Sequence, residues 1–211
     1  EKKAAAPKKV LKVGMECAYA PYNWSQPSAD GGAVKIAGSN EYAYGYDVMI
    51  AKKLADSMGA DLEIHKIEWD GLAPAVVSGK IDAAIAGMSI TSKRKESVDF
   101  TKPYYYATVV ALVKKDSPQA QAKSVADLKG SIATSQLNTI WYDQIDQVPD
   151  VKKLPAIDNV PGMIVALKSG KCNLIVTDIP TAKAAAFANP DLTMVTFPED
   201  KGFKTSKEDV E

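Results

Sequence analysis

Histidine occurs once in this sequence, at His65, and cysteine twice, at Cys17 and Cys172. Zinc would need nitrogen and sulfur ligands at a short, regular spacing, and these three residues do not supply it. A nucleophilic triad would have His65 as its single candidate base, and His65 stands in an alternating stretch that reads as exposed scaffold. Cys17 has no basic neighbour to draw off its proton, so no chemistry is expected of it; a bridge between Cys17 and Cys172 is left open by the sequence. What remains are separate charges. Arg94 between Lys93 and Lys95 reads on its own as a solvated helix face, and Asp178 two residues before Pro180 reads on its own as a helix cap.

Composition narrows the function classes. The chain has 211 residues, 46% of them hydrophobic, enough to bury the core of one large domain or two small ones. Lysine and arginine number 26 against 26 aspartates and glutamates, so no net field draws the chain toward nucleic acid or anionic lipid. No stretch approaches the roughly 20 apolar residues that span a bilayer. Residues 1–9, a glutamate followed by lysine, alanine and proline, show no apolar period and read as a linker.

The elements that must position any site follow from periodicity. Leu11, Val13 and Met15 alternate as a strand, with Gly14 where the backbone is approached closely. After a loop rich in Pro, Ser, Gly and Asn over residues 21–40, Asp47 is expected to cap a helix with the stripe Val48, Ala51, Ala55 and Met58, closed by Gly59. Leu62, Ile64 and Ile67 predict a strand, Asp70 a cap for a helix through Val77, and Gly79 a stop before a buried strand over residues 81–88. The pattern is β-α-β-α-β. It begins again beyond an aromatic segment, Phe100 to Tyr106: strands over 108–113, 132–135, 151–154 and 172–177, helices over 139–145 and 161–168, and a capped turn from Ser124 to Leu128. Ser78-Gly79-Lys80-Ile81-Asp82 is echoed by Ser169-Gly170-Lys171-Cys172-Asn173, each after a helix and before a strand, so the halves share a unit. Two α/β lobes result, with a ligand expected beyond the carboxyl ends of the strands, near residues 86–89 and 178.

From Leu11 to about Phe197 the sequence resembles the family 3 solute-binding proteins of bacterial ABC transporters. The most specific element is Gly45-Tyr46-Asp47-Val48-Met49-Ile50-Ala51-Lys52-Lys53-Leu54, with Met49 where an acid is usual. Tyr19-Ala20-Pro21-Tyr22, Trp69-Asp70-Gly71-Leu72, Ala86-Gly87-Met88-Ser89-Ile90-Thr91 with Lys93-Arg94, Val98 to Tyr105, and Thr177-Asp178 match further. The resemblance implies a type II periplasmic-binding-protein-like α/β fold: lobe 1 over residues 10–105, lobe 2 over 106–196, and a return hinge to lobe 1 from 197, cut short where the sequence ends at Glu211. It implies an extracytoplasmic receptor that closes about its hinge on a free α-amino acid, partners an ABC permease, meets the membrane only through a lipid anchor or that partner, and is a monomer unless the C-terminal segment is swapped.

A buried zwitterion needs a partner at each end. The resemblance assigns Arg94 to the ligand carboxylate, where its planar fork suits two oxygens, with backbone N–H groups of Ser89 and Thr139 beside it. It assigns Asp178 to the ammonium, with Ala86, the Gly87 carbonyl and the Ser89 hydroxyl. Tyr19 and Trp69 would wall the ligand's stem, Glu16 would meet its tip, and Gln136 and Asn138 would line the second lobe. An acid at the tip favours arginine or lysine, although relatives that bind glutamine also carry one. No catalytic residue, metal or cofactor is implied. The same superfamily contains dehydratases, lytic transglycosylases and receptor sensing domains, which are the alternatives; an enzyme would need a poised acid or base besides Glu16 and Asp178.

Overall fold

A computed structural model describes residues 9–210, with the side chains of Glu208 and Asp209 left aside. Clustered by contact, the chain divides into two compact units, one ending at Cys17 and resuming over Tyr22–Met88, the other made of Ala18–Pro21 and the residues from Ser89 onward. Both the boundary expected after residue 105 and the return expected from 197 fall inside the second unit. The linker expected over residues 1–9 lies outside the described residues except for Lys9, whose carbonyl accepts the Asp61 N–H at 2.8 Å.

The first unit is built on a parallel sheet with Val10–Met15 in the middle, flanked by Asp61–Lys66 and Ala83–Ala84. Leu11, Val13 and Met15 are buried and Lys12 is exposed, as the alternation requires. A Cβ at Gly14 would collide with Ile81 Cδ1 and lie 3.1 Å from Leu72 Cδ2, so this layer packs directly on the strand's backbone. The helix Tyr46–Met58 buries Val48, Ala51 and Ala55 and ends at Gly59, which takes the left-handed conformation (φ 62°) that glycine adopts without strain. Met58, expected on the buried stripe, is 52% exposed.

Several local expectations are corrected. Asp47 does not cap its helix: Gly45 holds the cap position, and the buried Asp47 carboxylate accepts a bond from the Asn23 side chain instead. Asp70 lies within a 3-10 turn, Trp69–Gly71, and Gly71 holds the cap position of the helix Leu72–Val77. The strand expected over 81–88 is reduced to Ala83–Ala84, because its one neighbour pairs only through Val13 and Gly14 before the chain turns away at Gly87 (φ 61°). The loop expected over 21–40 contains strands: Asn23–Gln26 and Val34–Lys35 both pair antiparallel with Tyr42–Tyr44, and Trp24 meets Tyr44 directly opposite with ring centroids 5.2 Å apart. Ile36, 1% exposed, then bridges to Ile64 and joins this hairpin to the parallel sheet. His65 is half-buried and hydrogen-bonded to Glu63 at 2.6 Å, not exposed.

The second unit carries a five-stranded sheet in the order Lys152–Lys153, Ile132–Thr134, Leu174–Asp178, Val109–Lys114, Leu192–Val195. The first three run parallel, Val109–Lys114 runs antiparallel to Leu174–Asp178, and Leu192–Val195 runs antiparallel to Val109–Lys114 in turn. Leu174–Asp178 is buried at every residue, as a strand covered on both faces should be. Its core joins Val109, Ala111, Val113, Leu174 and Val176 to Leu128, Trp141 and Ile145. The capped turn expected from Ser124 is a 3-10 turn, closed by a capping box of Ser124 and Asp127, and Pro161 stands in the first turn of the helix Val160–Lys168 behind an Asn159 cap. The helix expected over 139–145 is Ile140–Gln144, continued by a 3-10 turn. Periodicity placed no helix over Ile179–Ala188, although Asp178 read as a cap, and no strand over Leu192–Val195: the run from Ala182 to Ala188 is mostly alanine, which suits either face and shows no stripe.

Candidate functional site

In the second unit the strands Ile132–Thr134 and Leu174–Asp178 are parallel neighbours, so the segments leaving their carboxyl ends share one edge of the sheet. Ser135 ties that edge together, its hydroxyl donating to the Val176 carbonyl at 2.7 Å. Asp178 ends the second of these strands and is 1% exposed. Its Oδ1 accepts the Thr181 N–H at 2.9 Å and caps the helix Ile179–Ala188, while its Oδ2 accepts the Tyr19 hydroxyl at 2.6 Å. The helix N-terminus adds a positive partial charge beside this carboxylate. One turn in, the Thr181 hydroxyl is buried without a hydrogen-bond partner among the described residues.

Arg94 reaches the same edge. It sits on a single turn, Ser92–Lys95, capped by Thr91, whose hydroxyl accepts the Arg94 N–H at 3.3 Å. Its guanidinium donates from Nη1 to the Ser89 carbonyl at 2.8 Å and from Nη2 to the Asn138 carbonyl at 3.0 Å. Burial pushes the Arg94 pKa down from its ordinary value, yet a guanidinium stays charged in proteins. Asn138 presents that carbonyl from a left-handed conformation (φ 53°), which asparagine tolerates better than most residues. Thr139 occupies the cap position of Ile140–Gln144 with its hydroxyl turned back to the Gln136 carbonyl, and the buried Gln136 side chain donates to the Asp158 carbonyl at 3.1 Å.

Tyr19, Ser89, Arg94, Gln136, Asn138, Thr139 and Asp178 therefore belong to one unit, with Arg94 on the Asp178 side of the division although it was expected on the first lobe. Tyr19, expected as an aromatic wall, also acts through its hydroxyl. The Pro180 that marks Asp178 as a cap and the pairing of that acid with a ligand had looked like alternatives; capping uses one oxygen and leaves the other turned to Tyr19.

The first unit holds Glu16, Trp69, Ala86 and Gly87. Glu16 is 3% exposed and follows the central strand; Trp69 is half-buried in its 3-10 turn, and Ala86 is buried. Sequence reasoning missed what surrounds Glu16. Cys17 has φ 56°, its N–H donates to Asn23 Oδ1 at 2.7 Å, and Asn23 Nδ2 donates to Asp47 Oδ2 at 2.7 Å, with Asn23 and Asp47 both fully buried. Cys17 and Cys172 are free, buried thiols, pushed by desolvation up to about 12 and about 11 respectively. Among the described residues there is no cluster of histidine, cysteine and carboxylate side chains that could hold a metal ion, and no helix long and apolar enough to cross a membrane.

The chain is similar to proteins named as binding proteins. It is 33% identical to a probable histidine-binding protein of Campylobacter jejuni over 86% of this chain and 65% of that one. It is 30% identical to the ABC transporter arginine-binding protein 1 of Escherichia coli (88% and 70%) and 31% identical to the L-arginine-binding protein of Pseudomonas aeruginosa (96% and 78%). The chain thus spans about two thirds of the length of the first two of these relatives. Among solved structures, an amino-acid ABC transporter substrate-binding protein of Streptococcus pneumoniae bound to L-arginine superposes with a TM-score of 0.78 at 27% identity, covering 95% of this chain and 78% of that one. The arginine-bound form of a truncated arginine-binding protein of T. maritima gives 0.74 at 30% identity (93% and 84%). These likenesses agree with the expected type II periplasmic-binding-protein fold. With residues 11–154 matching its family model, the chain belongs to the bacterial extracellular solute-binding proteins, family 3.

Proposed function

We propose that this chain is the extracytoplasmic substrate-binding component of an amino-acid ABC importer, taking a free α-amino acid with a cationic or polar side chain. The observation that carries this reading is the placing of a guanidinium and a carboxylate at the same edge of one sheet, Arg94 on the Asn138 carbonyl and Asp178 at the end of the neighbouring parallel strand. A zwitterion offers one charge to each. The planar fork that grips two carbonyls suits a ligand carboxylate equally well, and an ionised carboxylate accepts at about four positions, enough for a cap, a phenol and an ammonium together. Relatives named for arginine and histidine, and a structure of an ancestral arginine-binding protein bound to glutamine, support the side-chain class.

In this reading Glu16, Trp69, Ala86 and Gly87 of the first unit join the ligand on hinge closure, and the ligand favours the closed form because only that form engages both ends. No catalysis is assigned: the relatives are binding proteins, and thiols held near 11 and 12 are not nucleophiles at neutral pH. A thermal-shift screen of the twenty amino acids tests the reading. Arginine, lysine, histidine or glutamine should raise the unfolding temperature, a ligand at a hundred times its Kd adding about 2.7 kcal/mol. No shift with any amino acid would overturn it.

A further inference from the structure

We infer that Asn23 and Asp47 are positioning residues that aim Glu16 and thereby set the preference for a cationic over a neutral ligand side chain; the inference rests on the function proposed above. Glu16 follows directly on the central strand, and the residue after it, Cys17, is in a left-handed conformation (φ 56°) that non-glycine residues rarely hold. Such a conformation persists only where the surroundings over-determine it. Here they do. The Cys17 N–H is taken by Asn23 Oδ1 at 2.7 Å, and the Cys17 carbonyl by both the Ser25 N–H at 3.0 Å and the Ser25 hydroxyl at 3.1 Å. Upstream, the Met15 carbonyl accepts the Ile67 N–H at 3.0 Å. The peptide groups on both sides of Glu16 are therefore fixed, and with them the direction in which its Cα–Cβ bond leaves the backbone.

Asn23 cannot choose its own orientation. An amide can turn either its oxygen or its nitrogen toward a donor, and only the oxygen can accept the Cys17 N–H. Asp47 removes the choice: its Oδ2 takes the Asn23 nitrogen at 2.7 Å, which leaves the Asn23 oxygen facing Cys17. Asp47 is in turn anchored by the first turn of the helix Tyr46–Met58 and by its own N–H, which donates to the Tyr22 carbonyl at 2.8 Å. With Asn23 and Asp47 both at 0% exposure, water has no access to substitute for either partner. The signature acid thus holds an asparagine rather than a helix end, and the asparagine holds the turn that presents Glu16.

The test is calorimetry with arginine and with citrulline, which replaces the guanidinium by an uncharged group of the same shape. Asn23→Ala should lower the arginine-to-citrulline affinity ratio about tenfold, the scale of one misplaced hydrogen bond to a charge. Because Asn23→Ala also strands a residue at positive φ, the double variant Asn23→Ala with Cys17→Gly is the decisive one. Glycine accepts that backbone freely, so thermal stability should recover while the ratio stays low. Asp47→Asn, which keeps an oxygen acceptor for Asn23, should recover most of the ratio that Asp47→Ala loses. An unchanged ratio in Asn23→Ala/Cys17→Gly, or a loss falling equally on both ligands, overturns the positioning role while leaving the transport function standing. Failure of the unaltered protein to bind any amino acid overturns that function and this inference with it.

Discussion

The two units contain the same joint, and they use it differently. In each, a helix ends on a serine whose hydroxyl donates back to a carbonyl three residues earlier, Ser78 to Ala75 and Ser169 to Ala166. A left-handed glycine follows, Gly79 (φ 74°) and Gly170 (φ 78°), and then a buried plug, Ile81 or Cys172, whose N–H returns to the same helix carbonyl, Ala75 or Ala166. The next residue closes onto the neighbouring strand in both directions: Asp82 donates to the Lys12 carbonyl and accepts the Lys12 N–H, and Asn173 does the same with Ile132. In the first unit this joint launches a two-residue edge strand that leaves at Ala86 and Gly87. In the second it launches a five-residue central strand that ends on the Asp178 carboxylate. The joint fixes only direction. What flanks the strand decides its length, and the residue at its far end decides whether a charge stands at that end of the sheet.

The sharpest way to break this asymmetry is to remove charge from the second unit. Arg94→Ala should cost roughly 2 to 5 kcal/mol of ligand affinity by calorimetry, the penalty for leaving a buried opposite charge unpaired. Trp69→Ala in the first unit should cost less, since a half-buried aromatic gives packing and no charge. Equal losses would erase the division of labour.

The plug gives the next contrast. Cys172 stands where the first joint has Ile81 and is buried like it, behaving as a small hydrophobe. Desolvation by that burial pushes its thiol up to about 11 from an ordinary 9, so alkylation below pH 9 should run about 100-fold slower in the folded protein than in urea, a tenfold loss of thiolate per pKa step. Fast labelling of native Cys172 would show that the second plug is looser than the first. Smaller still, Gly79→Ala and Gly170→Ala should each cost about 1 to 2 kcal/mol by urea unfolding, the strain of a left-handed alanine. Neither site has an atom within 4 Å of an added Cβ, so the two losses should match.

The shared joint was legible in sequence because its parts are glycine at a helix end, an apolar plug and a short polar residue, each with a local physical reason. The helix stripe of Val48, Ala51 and Ala55 and the alternation of Leu11, Val13 and Met15 were legible on the same grounds. What was hidden depends on distance along the chain. Asp47 looks like a cap because caps are local, and its bond to Asn23 crosses 24 positions. Tyr19 looks like a wall until its hydroxyl is found on Asp178, 159 positions on. The strands within residues 21–40 were masked by turn-forming residues, and the helix after Asp178 by alanine. Of the site, Arg94 and Asp178 were named from a resemblance; their grouping in one unit came only with the fold.

The finest test of the comparison lies in the closing residues of the two joints. Asp82 and Asn173 make the same pair of bonds, but Asp82 is exposed and Asn173 half-buried, so their side chains stand in different solvent. Removing Asn173 as Asn173→Ala leaves the Ile132 N–H unsatisfied where water reaches it poorly, and should cost about 1 kcal/mol in urea unfolding. Asp82→Ala frees the Lys12 N–H at a position where water replaces the lost oxygen, and should cost only a few tenths. If the two losses are equal, burial does not grade the joints, and the greater length of the second strand must come from its neighbours Ile132–Thr134 and Val109–Lys114. If Asn173→Ala costs more, the joint itself helps to hold the central strand in register, and through it the place of Asp178.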